Sequence, residues 1–347
     1  MNRIAIFILG WMLVLSACSE DNGTNPPITP TGPRGLYILN EGNFQRGNAT
    51  LSFFIPDSNI VYNNVFQSVN ARPLGDVGNS ITLHDGRAYL VINNSHTIEV
   101  VDVNTHVAVR TIASPPGASP REITFAANGL GFISNLLTNS VSVYDPSTGT
   151  LLGDIAVGAN PDGIAAAGNG VVVANSGFGS NNTVSIIDGV TRTAVATLTV
   201  GDYPTAVHAL NESAVAVLCT GSYGDYNDPN DDTPGGLYII DVPSRTVVDS
   251  LGLGGHPTRL TRDRDGYVYT IHSSGVTRIH LASKSVTRDF IPGNFYNIAI
   301  DPVDRRIYLA NPLDWVQAGR LEIHRIDGTK IQARDVGIIP NAMVMTK

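Results

Sequence analysis

Val157-Gly158-Ala159-Asn160-Pro161, then after a polar turn Val171-Val172-Val173-Ala174-Asn175, then Val184-Ser185-Ile186-Ile187-Asp188, is one phrase of a chain that keeps repeating itself. The turn recurs as Val200-Gly201-Asp202-Tyr203-Pro204, as Leu253-Gly254-Gly255-His256-Pro257, as Pro116-Gly117-Ala118-Ser119-Pro120 and finally as Gly337-Ile338-Ile339-Pro340. The strand ending in Asp recurs as Thr97-Ile98-Glu99-Val100-Val101-Asp102, Val141-Ser142-Val143-Tyr144-Asp145 and Leu237-Tyr238-Ile239-Ile240-Asp241. Second strands begin near Leu36, Ala88, Gly131, Val171, Val215, Tyr267 and Ile307, so residues 36–347 hold seven units of about 45 residues. Four short β-segments at that period are the signature of a propeller blade. The segments are rich in Val, Ile, Thr and Tyr, with Gly, Asn, Asp and Pro between them, as strand chemistry requires. Convincing amphipathic helices are absent. The expected fold is all-β, a seven-bladed β-propeller. An open β-sandwich or a six-bladed ring is the alternative, because residues 258–295 form the shortest and least regular unit.

The two ends of the repeat fit each other. Pro340-Asn341-Ala342-Met343-Val344-Met345 matches the phrase that opens the other units, such as Pro120-Arg121-Glu122-Ile123-Thr124-Phe125. The first unit, Leu36-Tyr37-Ile38-Leu39-Asn40, lacks such an opening strand. The C-terminal strand is therefore expected to join the first blade and close the ring, covering edges that would otherwise pair with other chains.

Ahead of the repeats, Met1–Arg3 is basic, Ile4–Leu15 is apolar apart from Gly10, and Leu15-Ser16-Ala17-Cys18 follows. This reads as a secretory signal over residues 1–17, too short to span a membrane as a mature helix. Residues 19–35, rich in Pro, Gly, Thr and Asn, read as a tether, so that residues 18–35 link an anchor to the propeller. Removing residues 1–17 takes away one Arg and no acid, which moves the net charge from −8 to −9. An acidic domain is not expected to bind nucleic acid, which needs clustered Lys and Arg. Of the two cysteines, Cys219 lies in the apolar run Ala214–Leu218 and is expected to be a buried, inert thiol.

Propeller topology brings the connections between blades and the loops between second and third strands to the same face. The variable, glycine-rich loops are all of these kinds, and length variation of this sort marks the functional face. On it fall Phe44, Phe178, Tyr203, Tyr223, Tyr226, Phe295, Tyr296 and Trp315, with Arg46, Arg121, His256 and Arg259 as donors near the opening. Tyr and Trp beside Gly, Asn and Ser make low-entropy contact surfaces, so these twelve residues are the expected ligand site. The alternative is that several rings simply cap the blade tops. Asp228, Asn230 and Asp232 alternate as in a calcium loop, but Thr233 stands where glycine is expected and no bidentate Glu follows, so a solvated acidic loop is the better reading. No G-x-S-x-G, H-E-x-x-H or C-x-x-C occurs, and no catalytic residue, cofactor or metal is assigned. The eight histidines are scattered about one per blade; His208 is placed to face a channel and join a metal, but a lone strand histidine is more often a satisfied structural one, and that is the better reading.

The L-S-A-C segment ending at Cys18 resembles the lipobox of bacterial lipoproteins, which implies acylation of Cys18 and cleavage before it. Ser19-Glu20-Asp21 resembles the signal that sends lipoproteins of one Gram-negative group to the cell surface; a periplasm-facing position is the alternative. The V-G-x-x-P turn and the V-S-I-I-D strand resemble the YncE-like, or YVTN-type, propeller family over residues 36–347. Leu36-Tyr37-Ile38-Leu39-Asn40-Glu41-Gly42-Asn43-Phe44 after a lipobox is similar to the BtuG-like surface lipoproteins. That resemblance implies an outer-membrane, lipid-anchored domain that captures a small-molecule ligand, cobalamin or another nutrient, for a TonB-dependent transporter; the domain is expected to be monomeric. A protein- or glycan-binding scaffold, and an enzyme of the lyase or lactonase kind, are the other functional classes.

Overall fold

In the computed structural model, which describes residues 34–225, 228 and 230–346, seven four-stranded antiparallel sheets follow one another around a ring. The expected signal, tether and lipidated Cys18 fall almost wholly outside the described residues, and so does Tyr226. No helix among the described residues is long and apolar enough to cross a membrane.

The second strands begin at Leu36, Arg87, Gly131, Gly170, Ala214, Tyr267 and Arg306, each within one residue of the expected start. They are buried almost along their whole length, as in Leu36–Asn40 and Gly131–Asn135, because neighbouring blades cover both faces. Outer strands such as Thr193–Thr199 are mostly exposed. The six-bladed alternative fails at residues 258–295, where Thr258–Arg262, Tyr267–His272, Gly275–His280 and Ser285–Pro292 form a complete blade.

The repeated letters have local physical jobs. An Asn ending the second strand donates to a Ser on the third: Asn40 to Ser52 Oγ at 2.9 Å, Asn135 to Ser142 Oγ at 2.8 Å, Asn175 to Ser185 Oγ at 3.1 Å. All six are buried, and unpaired polar groups there would be costly. The Asp ending the third strand folds the next turn. Asp188 Oδ1 accepts from the amides of Val190 and Thr191, and Asp241 Oδ1 from the amide and hydroxyl of Ser244. These bonds hold both carboxyls below the usual Asp range.

Ring closure is as expected. Pro340–Met345 pairs antiparallel with Leu36–Asn40, in the register Leu36 with Met345 and Ile38 with Met343. Beyond that pairing, Thr346 N donates to Gly35 O at 2.8 Å, and Glu41 N to Ile339 O at 2.8 Å. One element departs from the all-strand expectation. The outer strand of the first blade is only Ile60–Tyr62, and a short helix, Val65–Asn70, follows it and buries Val65 and Phe66. Six residues are too few to show helical periodicity in sequence.

Candidate functional site

The innermost strands surround a cavity of about 970 Å³. Its rim on the loop face is built by the repeat itself, since the turn proline delivers the next residues to the channel mouth. These are Arg121, Asp162, Thr205 and Thr258, with Asn79 and Asn297 at the equivalent positions of their blades and Arg259 one residue further in. The backbone just before the proline is left-handed at Ser119, Asn160, Tyr203 and Ile339, which sets the sharp entry into each strand.

The mouth is charged and tightly cross-linked. Arg121 Nε donates to Asp162 Oδ1 at 2.8 Å, and Asn79 Nδ2 donates to Arg121 O at 2.6 Å. From another blade, Arg259 lies over the Tyr296 ring, its guanidinium carbon 4.7 Å from the ring centre. Arg259 also donates from Nε to Tyr296 O at 3.1 Å and from Nη2 to Asn341 Oδ1 at 3.0 Å. The Tyr296 hydroxyl donates to Glu41 Oε2 at 2.9 Å, and Asn341 Nδ2 donates to Asn79 O at 3.1 Å. Residues from six of the seven blades, all but the fifth, thus meet in one network.

Titration in the mouth is set by burial. Glu122, whose Oε2 accepts from Ile164 N at 3.1 Å, is pushed up to about 7 by burial and then by the charge of Asp162. Burial also raises Glu41, against the pull of Tyr296, Arg259 and Arg121. Tyr203 and Tyr296 are raised by burial, so both phenols remain protonated donors. Deeper in the channel, burial and then the Arg262 charge lower His208 to about 4. The described residues hold no group of three or more His, Cys, Asp or Glu able to take a metal.

Around this mouth the sequence-expected residues divide into groups. Arg121, Tyr203, Tyr223, Arg259 and Tyr296 all line the cavity. His256 joins them because Tyr223 stacks on it with ring centres 3.7 Å apart, while His256 Nε2 sits 3.1 Å from Asp232 Oδ2. Trp315 meets Tyr296 edge-on at 4.9 Å. Phe44, Phe178 and Arg46 stand on exposed loops of the same face, Phe44 66% and Phe178 63% accessible. Phe295 is elsewhere. It is only 7% exposed and packs with Tyr269, Ile271 and Leu309 between two blades, so its ring belongs to the core and does not reach the mouth.

The acidic loop uses its side chains internally. Asp232 Oδ1 accepts from Gly224 N at 2.9 Å, and Asp228 Oδ1 accepts from the amide and side chain of Asn230. Cys219 is buried, and burial pushes its thiol up to about 12. Glu41, Asn79, Glu122, Asp162, Thr205 and Asn341 were not among the expected site residues. The signal for three of them, Asp162, Thr205 and Asn341, was present as the position immediately after the turn proline.

A closed seven-bladed propeller with a polar, aromatic-rimmed mouth defines the class of protein. The chain belongs to the family described as Domain of unknown function (DUF5074), whose model matches residues 34–217. No curated protein matches the chain in sequence. Among solved structures it is similar to a quinoprotein alcohol dehydrogenase-like protein from Bacteroides thetaiotaomicron, with TM-score 0.70, 13% identity, and coverage of 90% of this chain and 78% of that one. A functionally unknown protein from Desulfotomaculum acetoxidans gives TM-score 0.66 at 13% identity, covering 90% and 99%. Hydrazine synthase from Kuenenia stuttgartiensis gives TM-score 0.64 at 19% identity, covering 76% and 88%. At these identities the likeness is one of fold alone.

Proposed function

We propose that this protein is an exported, lipid-anchored propeller that captures a small-molecule nutrient at its channel mouth, a corrinoid of the cobalamin class handed on to a TonB-dependent transporter. The observation that carries the reading is the convergence of two guanidiniums, two phenols and three carboxyl groups (Arg121, Arg259, Tyr203, Tyr296, Glu41, Glu122 and Asp162) on one rim. Pockets that fix ligand orientation combine an apolar or aromatic surface with a few placed polar groups, and the cavity volume is of ligand size. A corrin ring, a broad apolar plane fringed with amides, would set its face on Tyr223 and Trp315 and its amides on the rim donors. Anchoring would come from Cys18, and the cell surface is the location that suits capture.

The test is calorimetry of the full chain with a corrinoid panel, repeated for Trp315→Ala and Arg259→Ala. Saturable binding of cyanocobalamin, weakened about tenfold or more by each change, supports the reading. Absence of any calorimetric signal across the panel removes the corrinoid. Anchoring is tested separately by labelling cells with a radioactive fatty acid, where Cys18→Ser should abolish both the label and membrane retention. Within this reading the ligand leaves chemically unchanged. Glu122, held near neutrality, is the group on which turnover would depend. Recovery of an altered ligand, stopped by Glu122→Gln, would replace capture by catalysis.

A further inference from the structure

On the face opposite the mouth, a second cavity of about 650 Å³ opens between the second and third blades. Its walls come from the His84–Arg87 turn, the outer strand bearing Val109 and Arg110, and the third-blade turns at Asn128–Leu130 and Asp145–Ser147. The inner wall is aromatic. Tyr89 and Tyr144 are buried and line the space, and His84 stacks flat on Phe125 with ring centres 3.9 Å apart and planes 2° from parallel. Leu130, Val100 and Val109 add apolar surface.

The polar groups turned to this cavity are mostly donors. Tyr89 is 2% exposed, yet its hydroxyl has no hydrogen-bond partner among the described residues. Burial, followed by the neighbouring Tyr144, pushes that hydroxyl up to about 12, so it is a donor at every physiological pH. Arg110 donates from Nη1 to the Tyr144 hydroxyl at 3.3 Å and packs against Gly149, where the backbone is left-handed (φ 75°) and a Cβ would collide with the guanidinium. The Arg110 head is thereby held in place without an acidic partner among the described residues. Arg87 makes no ion pair within 4 Å there; its register partner Asp102 gives Oδ1 to the amides of Asn104 and Thr105, while the Arg87 charge helps hold that carboxyl low. The acids at the rim are engaged elsewhere. Asp145 Oδ1 accepts from Ser147 and Thr148, and Asp85, 87% exposed at its side chain, lies against His84 Nε2 at 3.3 Å.

We propose that this cavity is a second ligand site, taking a small aromatic carboxylate whose ring lies against Tyr89, Tyr144 and Leu130 and whose carboxylate is held by Arg87, Arg110 and the Tyr89 hydroxyl. Guanidinium groups match a carboxylate in geometry as well as charge, and the unpartnered Tyr89 hydroxyl, which lines the cavity, supplies the third donor. The site is independent of the mouth.

The experiment is a titration of the full chain with benzoate, followed by protein-observed NMR or calorimetry, with benzamide as the neutral isostere. Benzoate should bind saturably and at least about tenfold more tightly than benzamide. The double change Arg87→Gln with Arg110→Gln should weaken benzoate about tenfold or more, with the melting temperature monitored to show that the fold persists. If that variant does not fold, Tyr89→Phe serves in its place and should weaken benzoate about threefold. Equal binding of benzoate and benzamide, unchanged binding in both variants, or no saturable benzoate binding overturns the proposal. So does loss of benzoate binding on Arg259→Ala, which would move the site to the mouth.

Discussion

The blade interiors and the channel mouth are written in opposite styles. In the interiors the same residues return from blade to blade: Asn donating to Ser, and Asp folding the turn that follows. At the mouth the structurally equivalent position is Asn in three blades (Asn79, Asn297 and Asn341) but Arg121, Asp162, Thr205 and Thr258 in the other four, so charge and size change around the ring. Repetition marks what every blade needs in order to fold. Variation at a fixed position marks what the ring as a whole presents to a ligand.

The largest effect should come from breaking the ring. Without residues 340–347 the first blade loses its innermost strand, and Leu36–Asn40 gains an exposed edge. We expect loss of cooperative thermal unfolding, since the penalty is comparable with a domain's whole stability of about 5–15 kcal/mol. A truncated chain melting at the full-length temperature would break the contrast at its root. Next in size are paired aromatic deletions. Phe295→Ala should cost about 3–5 kcal/mol in urea unfolding, because the ring is packed among Tyr269, Ile271 and Leu309. Trp315→Ala, with 41% of the residue exposed, should fall within about 1 kcal/mol of the parent. Equal costs would erase the distinction between core and rim.

Acid should act on the two regions with opposite signs. His106 is fully buried against Tyr37, and burial lowers it from 6.5 to about 4. Above pH 6.5 neither state holds the proton. As pH falls toward 4, only the unfolded chain takes it up, so about 3 kcal/mol of stability is lost. His106→Asn, which suits the left-handed backbone there, should flatten that decline. Glu122 does the reverse: raised from 4.5 to about 7, it keeps in the folded state a proton that the unfolded chain releases between those values. Its contribution grows as pH falls from 7 to 4.5, and Glu122→Gln should steepen the acid decline. The smallest effect concerns Cys219, whose buried thiol should resist a thiol reagent in the native state and react only on unfolding.

Much of the frame was legible because its causes are local. The V-S-I-I-D strand and the G-x-x-P turn each carry their own hydrogen bonds, so seven second strands could be placed to within a residue. The mouth was partly legible. Arg121, Tyr203, Arg259 and Tyr296 stand beside the turns, but Phe295 and Tyr296 are adjacent letters that point to opposite environments, core and channel. Strand alternation would separate them only once the register was known. Glu41 and Asn341 are 300 residues apart and meet only because the ring closes. The short helix Val65–Asn70 and the cavity between the second and third blades depend on packing between units, which no single repeat encodes.

Hydrogen–deuterium exchange of the full chain with and without saturating cyanocobalamin tests the mouth most directly. Protection should appear at the turns entering Arg121, Asp162, Thr205 and Arg259 and at the loop carrying Trp315, while the opposite-face turns at His84–Arg87 and Asp145–Gly149 stay unchanged. Protection confined to those opposite-face turns, or no change anywhere, would contradict ligand capture at the mouth.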